Sequence, residues 1–317
     1  MSVIDEAARL NAAGRRREAV ALVEQAAASG DAEALFAMAN WRLFGLFGSR
    51  DLAAAHRLLD RAVERGFVEA VRTKAMLIGN GTGCVADRAK AAQLLEAIKE
   101  VDPYASLQLN FMDGMAPDCD FVAEGPETLC DAPVVKRFRA FLTSGECAYL
   151  TGLAEPHLRP SFVTNPQTGA QMPHPIRTSS GMSFGPTQED LVIRRINERI
   201  ARVSATLVDC GEPLHILRYT PGQEYKPHTD SMPGEANQRV WTVLIYLNDD
   251  YEGGETCFPK AGVEVRGAAG DALIFHNVTA EGRPDPASLH AGLPVTAGVK
   301  WLATRWIRAR PYHPWMN

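Results

Sequence analysis

The sequence has no long apolar run, no surplus of basic charge and no cysteine pair at Cys-x-x-Cys spacing. Each absence removes a class of function. The longest clearly apolar stretch, 240–247, is interrupted by Thr242 and is far too short to span a bilayer, so no membrane partner is expected. A net charge of -5 and a pI near 5.9 argue against general binding to a phosphate backbone, so no nucleic-acid partner is expected either. The six cysteines are scattered, which points to a reducing cytoplasm and away from a zinc knot; Cys119 and Cys130 read as two free thiols. The chain opens on Met1-Ser-Val-Ile-Asp-Glu and runs straight into an Ala-rich amphipathic helix. Lacking a basic start and a cleavage site, that opening is not expected to be a secretory signal. What remains is ordinary for a globular protein: 46% hydrophobic and 22% charged, over 317 residues that suffice for two domains.

The first third repeats itself. Ala19-Val-Ala-Leu22-Val-Glu-Gln-Ala26-Ala-Ala-Ser-Gly30 matches Ala55-His-Arg-Leu58-Leu-Asp-Arg-Ala62-Val-Glu-Arg-Gly66 at an offset of 36 residues, and a further copy begins at Ala91-Ala-Gln-Leu94-Leu95. Small and apolar residues three and four apart give each helix one packing stripe, and Gly30 and Gly66 sit where helices should end. A period in the thirties with two helices per unit predicts an α-helical solenoid, an architecture that grips partners on a concave face. Residues 5 to 110 resemble the Sel-like branch of tetratricopeptide-type repeats, including the turn Gly81-Thr-Gly83-Cys-Val-Ala-Asp87. The glycines of 79–83 have the composition of a phosphate cradle, but no strand precedes them, so an inter-helix turn is expected.

From Asp113 the pattern changes. Residues 113–131 are rich in Asp, Gly and Pro without helical period and read as a linker between a repeat domain, 1–112, and a second domain, 132–317. Helices are expected near 144–154 and 188–207. Short strands then follow quickly at 214–219, 240–247, 264–265, 272–275 and 298–307, separated by Gly and Pro turns. That succession predicts a β-barrel or jelly roll flanked by helices, and an α+β multidomain chain as a whole.

The chemistry-bearing residues fall in this second part. In a strand, residues two apart point to one face, so His228 and Asp230 can reach the same metal ion. A distant histidine, His290, would complete two imidazoles and one carboxylate on one face of an octahedron, leaving three adjacent positions open. That donor set suits iron(II) oxygenases, where a 2-oxo acid and dioxygen take the open positions. Ten residues on, Lys300 stands between Val299 and Trp301-Leu302, where burial is costly without an anion; the far carboxylate of 2-oxoglutarate would supply one. His276 competes with His290 as the distal ligand but lacks a lysine at the right interval and reads as a rim residue. His174 and His215 have no partners at ligand spacing. Asp249-Asp250-Tyr-Glu252, followed by Gly253-Gly254, reads as a solvated turn.

Together these segments resemble the prolyl 4-hydroxylase branch of the iron(II)/2-oxoglutarate dioxygenases. The match runs through Leu217-Arg-Tyr219-Thr-Pro-Gly222-Gln223-Glu-Tyr225-Lys-Pro-His228-Thr-Asp230 and Arg239-Val-Trp-Thr242-Val-Leu-Ile-Tyr246-Leu-Asn248. It continues in Gly253-Gly254-Glu255-Thr256-Cys-Phe258-Pro259, Gly270-Asp271-Ala-Leu-Ile-Phe275 and 288–300. Upstream, Arg177-Thr178-Ser179-Ser180-Gly181 and the helix start at Phe141-Leu142-Thr143 extend it, so the resemblance covers roughly residues 130 to 310. It implies a double-stranded β-helix, with His228, Asp230 and His290 on iron and Lys300 on the distal carboxylate of 2-oxoglutarate. Tyr219, Tyr246 and Thr304 would assist in cosubstrate binding. Tyr225, Arg239 and Trp306 would line the substrate pocket, and the segment from Arg177 would belong to a loop that closes over a peptide. The implied cofactors are Fe(II), 2-oxoglutarate and O2, with ascorbate as reductant.

The resemblance implies hydroxylation coupled to decarboxylation of 2-oxoglutarate, with succinate and CO2 as coproducts, on a protein or peptide substrate and foremost at proline. One departure bears on the substrate: relatives carry a histidine two residues after the late tryptophan, where this chain has Arg308. Two rivals stand beside that reading. One is an oxygenase of a free amino acid or small metabolite whose repeats serve docking or dimerisation; the other is a non-catalytic scaffold, against which the intact triad and lysine speak.

Overall fold

The structure is a computed structural model that describes residues 1–115, 125–164, 171–173 and 175–315; the middle of the expected linker, Cys119 and His174 lie outside the described residues. The chain divides into two compact units. Met1–Met115, Gly185–Arg195 and His313–Asn317 form one, and Ala116–Phe184 and Ile196–Tyr312 form the other.

The first unit opens with seven helices among the described residues: α1 (Val3–Ala12), α2 (Arg16–Ala28), α3 (Ala32–Phe44), α4 (Leu52–Glu64), α5 (Val68–Asn80), α6 (Arg88–Glu96) and α7 (Pro103–Gly114). Side-chain oxygens of Asp31, Asp51, Asp87 and Asp102 accept backbone N–H groups in the first turns of α3, α4, α6 and α7, satisfying donors a helix start leaves open. Gly30 and Gly66 follow α2 and α4 at φ +88° and +74°, a conformation that costs glycine nothing and stops a helix. The repeat is legible to the residue: α2 opens at 16 and α4 at 52, α3 at 32 and α5 at 68. Buried Ala19 and Val23 of α2 are answered by Ala55 and Leu59 of α4 at the same offset.

Residues 185–195 also belong to this unit. The Asn80 amide donates to the Pro186 carbonyl at 2.8 Å, and the Tyr104 hydroxyl donates to Asp190 at 2.6 Å. Leu191 packs into an apolar cluster with Val71, Ala75, Ala91 and Leu95.

The second unit contains α8 (Ser144–Ala154), and the division between the units falls within α9 (Leu191–Val203). Its strands begin with β1 (Glu127–Asp131), β2 (Val134–Phe138), β3 (Arg159–Pro160), β4 (Phe162–Thr164), β5 (Gln171–Pro173), β6 (Ser180–Ser183), β7 (His215–Tyr219) and β8 (Tyr225–His228). They continue with β9 (Arg239–Tyr246), β10 (Tyr251–Gly253), β11 (Thr256–Phe258), β12 (Val263–Val265), β13 (Ala272–His276), β14 (His290–Gly292), β15 (Val295–Gly298) and β16 (Lys300–Arg308). An eight-stranded sheet runs in the order β1-β2-β13-β9-β16-β7-β6-β3, and a four-stranded sheet in the order β12-β11-β14-β8. Leu217, Leu244, Tyr246, Leu273 and Leu302 from the larger sheet and Phe258 and Val265 from the smaller share one apolar core. Two antiparallel sheets packed on a common core make the double-stranded β-helix, and the expected α+β architecture is observed.

The longer strands and α8 fall where expected, strands were expected at His228 and His290, and the bounds of β8 and β14 and the presence of β10 and β11 were not anticipated. Each of these four spans three or four residues and carries proline or glycine or follows one, so cross-strand pairing, not pattern, makes them strands. The 249–252 segment is a correction of this kind. Tyr251 opens β10 and is buried, so the expected solvated turn is confined to its flanks.

Candidate metal centre

β8 and β14 pair antiparallel with His228 opposite His290, which sets the two imidazoles side by side. The strand-alternation argument for His228 and Asp230 needs amending: β8 ends at His228, and Asp230 lies in the bend beyond it. Its carboxylate is nonetheless turned inward, with Oδ1 3.7 Å from His228 Nε2 and Oδ2 3.6 Å from His290 Nε2. Among the described residues, these three form the one cluster of side chains able to share a metal ion, their donor atoms all within 4.8 Å of one another.

Hydrogen bonds fix what each donor offers. His228 Nδ1 lies 2.8 Å from the Lys226 carbonyl and His290 Nδ1 lies 2.9 Å from the Ser288 carbonyl. A carbonyl only accepts, so each Nδ1 carries a proton and each Nε2 is the ring atom turned toward the carboxylate. Burial pushes the His228 imidazole down to about 4, helped by the neighbouring His290, so it stays neutral at ordinary pH. Burial also works to raise the Asp230 carboxyl, but the two histidines and the Thr242 hydroxyl outweigh it and hold it below the usual carboxylate range. Two imidazoles with Nε2 facing inward and one ionised carboxylate are the donor set that suits iron(II), so the residues present fit that ion.

Lys300 is 3% exposed, and its Nζ donates to the Gly254 carbonyl at 2.6 Å. The rings of Tyr246, Tyr219 and Tyr251 surround the ammonium at 5.4, 5.7 and 6.0 Å, and burial pushes it down to about 8. One backbone carbonyl leaves a buried ammonium short of acceptors, and an anion is the kind of partner such a site suits. On the same strand face, Thr304 Oγ1 is buried and finds no partner among the described residues. Lys300, Thr304, Tyr219 and the three candidate ligands line one cavity together with Thr256 and Leu302, so the fit extends to a dicarboxylate cosubstrate. Tyr246 stands behind that wall, its hydroxyl donating to Thr256 Oγ1 at 2.8 Å.

Tyr225 and Trp306 line the same cavity. Tyr225 stacks on His228 with ring centroids 3.5 Å apart, and the Arg177 guanidinium lies 5.5 Å from its face. Arg239 lies 4.1 Å over Trp306 and is held there by a bidentate pair with Glu212 at 2.6 and 2.7 Å. Arg308 Nε donates to the same carboxylate at 2.6 Å, and Arg305 Nε to the Glu212 backbone carbonyl at 3.0 Å. His276 lies at the end of β13 against Trp241, away from the triad. His215 bonds Ser183 through Nδ1 at 2.7 Å, and burial pushes it down to about 3.

Sequence reasoning missed Glu212, Tyr251, Thr242 and Asn277. The lone polar residue in the apolar run 240–247 was the available signal for Thr242. Nothing in the local pattern marked the other three.

Residues 214–308 match the 2OG-Fe(II) oxygenase superfamily. The probable prolyl 4-hydroxylase 10 of Arabidopsis thaliana is 39% identical over 204 residues, covering 57% of this chain and 70% of that protein. Among solved structures, the 2OG complex of the viral collagen prolyl hydroxylase from Paramecium Bursaria Chlorella virus-1 aligns at a TM-score of 0.47 and 28% identity, covering 57% of this chain and 99% of that one. A Sel1 repeat protein from Oxalobacter formigenes aligns at a TM-score of 0.32 and 23% identity, covering 34% of this chain and 86% of that one.

Proposed function

The chain belongs to the prolyl 4-hydroxylase family of 2OG-Fe(II) oxygenases, and on that footing we propose that it hydroxylates a protein or peptide substrate at prolyl residues. As a family member it is a 2-oxoglutarate-dependent dioxygenase working with Fe(II), 2-oxoglutarate and O2. When bound by His228, Asp230 and His290, iron supplies oxygen activation coupled to decarboxylation, which yields succinate and CO2. The chain's own residues do the rest. Lys300 pairs with the distal carboxylate of 2-oxoglutarate, Thr304 Oγ1 and Tyr219 hydrogen-bond it, and Tyr246 holds Thr256 against it. Leu217, Leu244 and Leu302 exclude water from that end of the cavity.

The substrate reading rests on one observation: two aromatic rings in the cavity wall, Tyr225 and Trp306, each covered by an arginine, Arg177 and Arg239. Aromatic side chains give a proline ring an apolar wall to pack against, and guanidinium groups supply donors for peptide carbonyls. The helical repeats suit an extended protein chain, and we read the unit as a gripping surface for the substrate protein. The five described cysteines are unbridged, which supports a cytoplasmic setting.

The test is turnover of a peptide array with Fe(II), 2-oxoglutarate and ascorbate, read by intact mass and succinate release. A gain of one oxygen on proline-containing peptides is expected. Turnover of free amino acids with no peptide modified would replace this reading with the small-metabolite one.

A further inference from the structure

Behind Asp230 lies a hydrogen-bond chain that no part of the reaction described so far uses. Thr242 Oγ1 donates to Asp230 Oδ2 at 2.6 Å, and Asn277 Nδ2 lies 2.8 Å from Thr242 Oγ1. Both residues are 0% exposed. A hydroxyl owns one proton, and an ionised carboxylate only accepts, so the Thr242 proton must go to Asp230. Asn277 must then present its amide N–H to the oxygen lone pair of Thr242. The direction of the whole chain, Asn277 to Thr242 to Asp230, follows from that single proton.

Its outer end is tied to the backbone. The Asn277 N–H donates to the Val240 carbonyl at 2.9 Å, and the Asn277 carbonyl accepts from the Asp285 N–H at 2.9 Å. Asn277 Oδ1 finds no partner among the described residues, so the side chain is held for its donor end alone. Asp230 needs such a hold because it lies beyond the end of β8, where no strand pairing orients it. The two histidines are fixed by carbonyls at Nδ1, and the carboxylate is fixed by Thr242.

We propose that Thr242 and Asn277 are positioning residues of the metal centre, a proton-directed relay that turns the Asp230 carboxylate toward the histidines and sets metal affinity. This rests on the assignment of His228, Asp230 and His290 as the metal ligands. Removal of partners in this position typically lowers metal affinity 10- to 100-fold. Thr242→Val is therefore expected to weaken binding of Mn(II), used as an air-stable probe for iron, by at least about tenfold. Thr242→Ser keeps the hydroxyl and should restore it. Asn277→Asp is the decisive variant: its carboxylate competes for the only hydroxyl proton, so Mn(II) binding should fall although the shape is kept.

Mn(II) affinity by titration calorimetry and the Mn(II) EPR signal of the full chain give the readout, with thermal unfolding of the metal-free proteins alongside. Wild-type protein that fails to bind Mn(II) would remove the metal-centre assignment itself. Wild-type binding with undiminished affinity in Thr242→Val and Asn277→Asp would overturn the relay alone. A drop in metal-free stability with unchanged Mn(II) affinity would also overturn it, assigning the pair to core packing.

Discussion

Burial holds the Lys300 ammonium down to about 8, so ordinary buffers cross its titration. Below that pH the amine is charged and attracts a dicarboxylate; above it the amine is neutral and the attraction fades. A bound anion favours the charged form and raises the value, so affinity is full below about 8 and falls above it, by up to about tenfold per pH unit. Calorimetric titration of 2-oxoglutarate from about pH 7 to about pH 9.5 should show this slope, and Lys300→Arg, charged throughout, should abolish it. His228→Ala and Asp230→Ala should each lose both the rise in melting temperature on adding Mn(II) and the release of succinate. A metal-dependent rise retained in both would assign the ion elsewhere. The clustering of His228, Asp230 and His290 and the burial of Lys300 were legible because these residue types are costly where they stand and stand at telling intervals. Glu212, Asn277 and Tyr251 were not, because their roles arise only when strands distant in sequence come into register.

Elements position these residues through a few joints. Gly254 adopts φ +68° between β10 and β11 and offers its carbonyl to Lys300; a Cβ there would lie 3.1 Å from Val295 and 3.2 Å from the Lys300 stem. Gly254→Ala should therefore weaken 2-oxoglutarate binding several-fold while Mn(II) affinity holds, a split that calorimetry with each ligand reads directly. A second joint links α8 to the second half of α9. Glu146 caps α8 through Thr143 and receives Arg199 at 2.7 and 3.0 Å, with both side chains buried. Removing one partner of a buried ion pair costs about 3–5 kcal/mol, so Glu146→Ala should lower the urea midpoint by that equivalent. The start of α8 was readable from its Thr-x-x-Glu capping pattern, whereas the far partner Arg199 was hidden in the polar face of another helix.

For the whole molecule, the first unit recruits residues from far along the chain. Asp190 and Leu191 take part in it through Tyr104 and an apolar cluster. A truncated chain starting at residue 116 should then expose Leu191, bind more of an apolar dye and unfold at a lower temperature than the whole. Equal stability of the truncated and full chains would show that residues 185–195 hold their place unaided. This membership was not legible, because the repeats announce themselves by periodicity and residues 185–195 have no copy. The repeat carries a consequence of a genetic kind. With α2–α3 and α4–α5 beginning and ending at the same phase of one period, an in-frame duplication between them adds a complete helical pair with its caps and breaks none. The array can thus lengthen by whole units while His228, Asp230, His290 and Lys300 keep their spacing.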